Sequence, residues 1–325
     1  MKKFEREYHN IITTNNLLTA WEAFLSGKRK RVDVILFQSR LMDNLLGLRH
    51  ELLNKTYAHG GYTAFNISDP KPRNIHKATV RDRLLHHLLY QELYGYFDSK
   101  FIHDSYSCRL GKGTHKAMVR FNEYAGKVSK NNTRACWVLK CDIRKFFANI
   151  DHSILKSILA MHVTDPDLLL LLEGIIDSFP IGLPLGNLTS QLLVNVYMNE
   201  FDRFMKKEMK VRYYIRYADD FVILSEDKAY LENLISTIAQ FLETRLKLSL
   251  HPDKVFIKTF SSGVDFLGWV HFPNNRVLRT TTKRRMFTKI ERSEGKPEVV
   301  NSYKGLLLHG DGWKLVQKID SSSIK

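Results

Sequence analysis

Apolar residues recur at spacings of three and four through "NNLLTAWEAFLSGK" and "FQSRLMDNLLGLRHELLNK", which predicts helices over residues 12 to about 60. "GYTAFNISDPKPR" then reads as a strand ending at the breakers Pro70 and Pro72. The helix "RDRLLHHLLYQELYGYF", a polar loop "HDSYSCRLGKGTHK" and another helix follow. A second segment opens at "ACWVLKCDI", whose unbroken apolar character suits a buried strand. Helices are expected around 153–160 and 167–178, with Asp151 as N-cap of the first. After "GLPLGNLTS" come the helix "QLLVNVYMNEFDRFMKKEM", a strand pair in "RYYIRYADDFVIL" and a helix over 229–245. Strands in "KVFIKTF" and "GVDFLGWVHF" and a basic, mainly helical tail over about 276–325 complete the chain. Neither an internal repeat nor a low-complexity linker interrupts this order.

Charge narrows the class of partner. The 325 residues carry 50 Lys plus Arg against 34 Asp plus Glu, a net +16 that favours a polyanion. Gly27 precedes four consecutive cations, Lys28, Arg29, Lys30 and Arg31, which form either a solvated face or a grip on phosphate. No apolar run reaches the roughly 18 residues of a membrane span, and "MKKFEREYHN" has no signal-peptide core, so a cytoplasmic protein without a membrane partner is expected. Cys108, Cys136 and Cys141 have no metal-ligand spacing and are expected to be reduced thiols, mostly buried.

Against that basic background, Asp219 and Asp220 stand together between two strand-forming runs. Asp is a common turn residue, so the pair has an ordinary reading as a hairpin tip. Two neighbouring carboxylates repel each other unless a cation lies between them, which supplies the other reading. Asp142 is a third candidate, because it closes the apolar run "WVLKC" and an acid emerging there is costly unless paired or coordinated. Carboxylates with water and substrate phosphates are the ligands Mg²⁺ prefers. Two such ions can clamp the attacking and leaving oxygens of a phosphoryl transfer.

The order "KCDIRKFF", "GLPLGNLTSQ", "YADD", "LSLHPDKV" and "FLGW" resembles the successive palm motifs of a reverse transcriptase. "DPKPRNIHKATVRDRLLHHLL" and "SYSCRLGKGTHKA" are similar to its fingers motifs, and the likeness covers about residues 60–275. It implies an α+β right-hand polymerase fold, with an antiparallel palm sheet packed on helices and a short helical thumb. The expected domains are a helical extension over 1–60, fingers over 61–135, palm over 136–275 and thumb over 276–325.

The resemblance also assigns roles. Asp142, Asp219 and Asp220, with the backbone carbonyl of Ile143, would hold two Mg²⁺ ions, with Mn²⁺ able to substitute. Lys254, in "HPDK", matches a lysine that protonates the pyrophosphate leaving group in similar polymerases, or is a plain surface lysine. Phe147 matches an aromatic residue that excludes a ribonucleotide 2′-hydroxyl, while Phe146 takes a core role. Lys71, Arg73 and Arg81 would hold the incoming dNTP or the template, or be solvated charges. Gly186, Ser190 and Gln191 would form the nucleotide pocket, where Thr189 or Ser190 would also serve as a helix cap. Phe266, Leu267, Gly268 and Trp269 resemble the hairpin that grips the primer, or the aromatic pair is strand core. His86, His87 and His115 lack metal spacing and are expected to pack.

Within the family, intron and retroviral enzymes typically place glutamine before the pocket glycine and proline after its serine. Leu185 and Gln191 stand there in this chain. That departure resembles the reverse transcriptases of diversity-generating retroelements, which copy a template RNA with errors at adenines. It implies template RNA, an RNA/DNA hybrid, dNTPs and a small basic accessory protein as partners. A bacterial phage-defence or retron-like enzyme is the alternative within the class, and a non-catalytic, maturase-like RNA-binding protein the alternative outside it. After the primer-grip motif only about 50 residues remain, so neither a maturase extension nor an endonuclease domain is expected.

Overall fold

Two units organise the chain in the computed structural model, which describes residues 2–68 and 72–322. The first comprises the chain up to Ile102 with Ile143–Glu208 and Gln240–Ser249. The second comprises His103–Asp142, Met209–Ala239 and the chain from Leu250 onward.

In the first unit, the N-terminal stripes become α1 (Tyr8–Ile11), α2 (Thr14–Leu25), α3 (Val32–Gln38) and α4 (Leu41–Leu53). Thr13 caps α2 by accepting the Asn16 amide, and the helix buries Leu17, Ala20, Trp21 and Phe24. The basic run lies between α2 and α3, with Arg29, Lys30 and Arg31 exposed and Lys28 folded back to donate to the Phe24 carbonyl. What reads as one strand is an antiparallel hairpin, β1 (Thr63–Ile67) with β2 (Arg73–Lys77), registered Asn66 to Asn74. The second arm, "RNIHK", has too little apolar alternation to announce itself.

Thr79 then caps α5 (Val80–Asp98), which buries Leu84, Leu85, Leu88 and Leu89. Further along the first unit are α7 (His152–His162), α8 (Pro166–Asp177) and α9 (Leu188–Arg203), the last continuing into a π-turn, Phe204–Glu208. Asp151 caps α7 as expected, accepting the Ile154 amide at 2.9 Å. Helix α9 starts after Asn187, so Thr189 and Ser190 are buried within its first turn and neither caps it.

The second unit is built on an antiparallel sheet ordered β4–β5–β3–β6: β3 (Trp137–Asp142), β4 (Tyr214–Tyr217), β5 (Asp220–Ser225) and β6 (Phe256–Thr259). Helix α6 (Thr114–Val128) packs Phe121, Tyr124 and Val128 against Val138, Ile215 and Val222. At about 1.5–3 kcal/mol for each buried large apolar side chain, that face holds the sheet. "GVDFLGWVHF" folds as two strands, β7 (Val264–Phe266) and β8 (Trp269–His271), joined by β9 (Arg276–Leu278) in a three-stranded sheet. The basic tail forms α11 (Thr280–Arg292), α12 (Pro297–Leu307) and α13 (Trp313–Ser322), packed around Trp269, Met286 and Leu307. Helix α10 (Lys228–Leu246) is divided between the units after Ala239. Cys136 and Cys141 are buried free thiols in and beside β3, while Cys108 is exposed. None of the described helices is long and apolar enough to cross a membrane.

Candidate active site

Sheet register brings the expected carboxylates together. Asp142, the last residue of β3, lies directly opposite Asp220, the first of β5. Cross-strand partners of this kind have Cα atoms about 4.5–5.5 Å apart. Tyr217 pairs with Asp220, so Ala218 and Asp219 form a two-residue turn, with Ala218 in the left-handed region at φ +54°. The turn and metal readings therefore describe the same residues, since the tight turn is what places Asp219 beside the strand-borne pair.

Arg216 backs this turn from the interior. Its fully buried guanidinium donates to the Ala218 carbonyl and to the Ser105 hydroxyl, each at 3.1 Å. Its backbone bonds the segment Asp104–Tyr106 on both sides. Asp104 in turn accepts from Tyr124 and Arg120, so the edge of β4 is tied to α6.

Two lysines face the carboxylates. Lys254 Nζ lies 2.9 Å from Asp142 Oδ1, and the His251 amide donates to the Asp142 carbonyl at 2.7 Å. Lys140, two residues before Asp142 on the same strand face, lies 3.4 Å from Asp220 Oδ2. Burial pushes the Asp220 carboxyl up to about 7; Lys140 opposes that shift, and the charges of Asp219 and Asp142 add to it. Its Oδ1 is buried and has no hydrogen-bond partner among the described residues. A hard divalent cation is the partner such an oxygen suits, and an all-carboxylate donor set fits Mg²⁺. Among the described residues no three His, Cys, Asp or Glu side chains already converge on one point. The nearby positive charge comes instead from the two lysines.

The first unit gathers most of the expected nucleotide-contacting residues. The His76 amide donates to the Leu185 carbonyl at 2.9 Å, tying the pocket loop to β2. Gly186, at φ +124°, is squeezed against the same strand: a β-carbon there would lie 3.0 Å from Ile75 Cγ2 and 3.2 Å from the His76 carbonyl oxygen. Arg73 is exposed at the start of β2. Phe146 is buried and Phe147 half-buried in the 3-10 turn after the buried Ile143. The Phe147 carbonyl accepts the Leu183 amide at 2.8 Å, and a β-carbon on Gly182, at φ +66°, would overlap that carbonyl. Ser190 is buried and Gln191 half-buried on α9.

The remaining expected residues lie elsewhere. Arg81 stands in the first turn of α5, bonded to Glu51 Oε2 at 2.6 Å and to the Ala58 carbonyl, so its guanidinium is spent on local structure. Phe266 and Trp269 are 0% and 2% exposed and face the apolar interior of the second unit. Of the expected primer grip, the turn residues Leu267 and Gly268, at φ +52° and +88°, are half-exposed. Lys71 lies outside the described residues.

Two buried polar residues hold the start of α9: Asp82, which carried no expectation, and His86, which was expected only to pack. Asp82 accepts from Tyr57, Thr79 and the Gly60 amide, and His86 bonds Thr189 at 2.7 Å and His59 at 3.2 Å. Burial holds the His86 imidazole down at about 3, hence neutral. This network steadies the start of α9 beneath the pocket loop. A polar residue recurring inside apolar helices was its only signal in the sequence.

An antiparallel sheet bearing three acids at one end, backed by helices, with a glycine-built loop in the companion unit, defines a polymerase palm and fingers. Residues 67–271, more than half of the chain, match the family model described as reverse transcriptase (RNA-dependent DNA polymerase), and the chain belongs to that family. It is 27% identical over 281 residues to protein YkfC of Escherichia coli K12, covering 73% of each chain. It is 22% identical over 288 residues to the group II intron-encoded protein LtrA of Lactococcus lactis, covering 66% of this chain and 46% of that one. The putative COX1/OXI3 intron 2 protein of Saccharomyces cerevisiae is also 22% identical, with 30% of its length covered. The chain thus spans under half of those two intron proteins. Among solved structures, truncated apo telomerase from Candida tropicalis superposes with a TM-score of 0.53 at 10% identity, over 71% of this chain and 59% of that one. The same enzyme with a fragment of telomeric RNA gives 0.52 at 11% identity, over 76% and 52%. These likenesses carry the fold.

Proposed function

We propose that this chain extends a DNA primer along an RNA template by divalent-metal-dependent nucleotidyl transfer, as the reverse transcriptase of a diversity-generating retroelement. The observation that carries the polymerase reading is the pairing of Asp142 with Asp220 at one sheet end, with Asp219 in the adjoining turn and Lys254 on Asp142. Two Mg²⁺ ions held by the three carboxylates and the Ile143 carbonyl would supply activation of the primer hydroxyl and neutralisation of the leaving pyrophosphate.

The chain's own residues do the rest. Lys254 has a 45% exposed side chain and an ammonium within reach of the carboxylates, which suits proton donation to a departing phosphate oxygen. Phe147 presents a half-buried ring for selection against a ribose 2′-hydroxyl. Arg73 offers a planar cation to triphosphate or template. The loop Leu185–Gly186 sets backbone, rather than a side-chain amide, at the edge of β2.

The retroelement reading rests on Leu185 and Gln191. With Leu185 in place of a glutamine, the pocket loses a donor–acceptor group that would otherwise fix the templating base. A small basic accessory protein and the element's template RNA are the partners this reading entails. Sequencing the cDNA that the purified chain makes from a mixed-sequence RNA tests both levels. Misincorporation concentrated opposite adenine, and reduced in Leu185→Gln/Gln191→Pro, is the expected result. Uniform errors unchanged by the double substitution would overturn the retroelement reading, and no extension with Mg²⁺ or Mn²⁺ would overturn the polymerase reading.

A further inference from the structure

A surface groove of about 380 Å³ lies at the end of the β4–β5 hairpin farthest from the carboxylates. Its walls come from the C-terminus of α6, the residues entering β4 and the residues leaving β5. Strand β5 runs from Asp220 to Ser225, so at about 3.4 Å per residue the groove is about 17 Å from the acids. Whatever occupies it is not the reacting nucleotide.

Four exposed cations line this groove: Lys127, Lys130, Lys210 and Arg212. Among the described residues, none of the three lysines has an ion-pair or hydrogen-bond partner for its ammonium. Of the groove's lining residues, Glu226 alone is acidic, and its carboxylate lies 3.5 Å from Arg134. Concentrating unneutralised lysines is electrostatically unfavourable in the free protein and becomes favourable when phosphates displace counterions.

Two tyrosines complete the site. Tyr213 is anchored on one side by an edge contact with Tyr124, at 5.1 Å between ring centres, and carries the Arg212 guanidinium 5.3 Å from its own centre. Tyr230, at the start of α10, is 37% exposed. Cations beside aromatic faces are what an unpaired nucleotide requires: the phosphates meet the lysines and the base stacks on a ring.

We propose that this groove is a docking site for single-stranded RNA, gripping a segment of the template molecule away from the point of synthesis. The inference rests on the reading that the chain copies RNA, and commits to RNA rather than to an acidic protein. A remote grip holds a template through successive additions without competing for the catalytic end.

The test compares the full chain with the variant Lys127→Glu/Lys130→Glu/Lys210→Glu, with Tyr230→Ala, and with a charge-matched control reversing Lys2, Lys3 and Lys100. Affinity for a 40-nucleotide unstructured RNA is measured across salt concentrations, alongside extension of a short RNA/DNA primer duplex. Each phosphate contact on a single strand adds about 0.7 to the salt slope, so losing three should lower it by about 2 and weaken binding about tenfold or more at 0.15 M salt. Tyr230→Ala should weaken binding several-fold with the slope unchanged, and extension of the short duplex should stay within about twofold for every variant. The inference is overturned if the triple variant binds RNA like the charge-matched control, which is also the outcome if the groove serves an acidic protein. It is equally overturned if extension of the short duplex falls in step with RNA affinity. Failure of the wild-type chain to extend any primer would sink the polymerase reading instead, leaving the binding comparison to be scored by itself.

Discussion

The acidic end of the sheet and the loop around Gly182–Gln191 are built by opposite means. At the sheet end, side chains matter: three acids at strand ends and a tight turn are spaced by backbone register, and Lys140 within β3 and Lys254 in the 3-10 turn Pro252–Lys254 face them. In the loop, missing side chains matter: Gly182 and Gly186 let backbone approach Phe147 and β2 more closely than any β-carbon allows. The first is therefore expected to be sensitive to a change of charge, and the second to added volume.

Substitution should separate them. Asp219→Ala or Asp220→Ala is expected to reduce primer extension by roughly 10³-fold or more while RNA affinity stays within about twofold, measured by single-turnover extension and filter binding. Gly182→Ala comes next, with extension reduced by about 10²-fold and a lower melting temperature, because a methyl group there displaces the Phe147 turn. Gly47→Ala is its control: it sits in α4 with open space around it and should gain about 0.5–1 kcal/mol from helix propensity, with activity unchanged.

Lys254→Ala should lower the maximal rate by about 10²-fold with little effect on template affinity. Lys254→Arg should restore less than half of it, since a guanidinium is a poor proton donor. The smallest effect concerns stability. A carboxyl raised to about 7 by burial destabilises the metal-free fold progressively as pH climbs from about 4, the unfolded value, to 7, because the folded state then holds a proton the unfolded state has released. In chelator at pH 8, Asp220→Asn should therefore be more stable than wild type by about 1–3 kcal/mol, and the gain should vanish at pH 4. Urea denaturation at both pH values measures it; equal stability at pH 8 would show that Lys140 fully offsets the burial.

The same contrast explains what could be read in advance. Asp142, Asp219 and Asp220 stood out because an acid after an apolar strand is costly without a purpose, and the sheet duly aligns two of them. Lys140 carried a comparable signal, a cation inside a buried strand two residues from Asp142, yet it passed as part of the apolar run. Arg216 passed unnoticed in β4 for the same reason. The hold of Gly182 on Phe147 is backbone against backbone across 35 positions, and no periodicity records such an approach. Strand β2 is hard to read because its residues are polar, and the burial of Phe266 and Trp269 was one of two open readings because an aromatic side chain looks the same in sequence whether it faces a partner or the core.

The thiols give the central sheet a chemical gauge. Burial pushes Cys136 up to about 12 and Cys141 also well above the ordinary thiol range, while Cys108 is exposed. An alkylating reagent at neutral pH therefore meets one cysteine in the folded chain and three once β3 opens. Counting adducts by mass against time would report the opening of the strand that ends in Asp142, in the intact protein and without any engineered label.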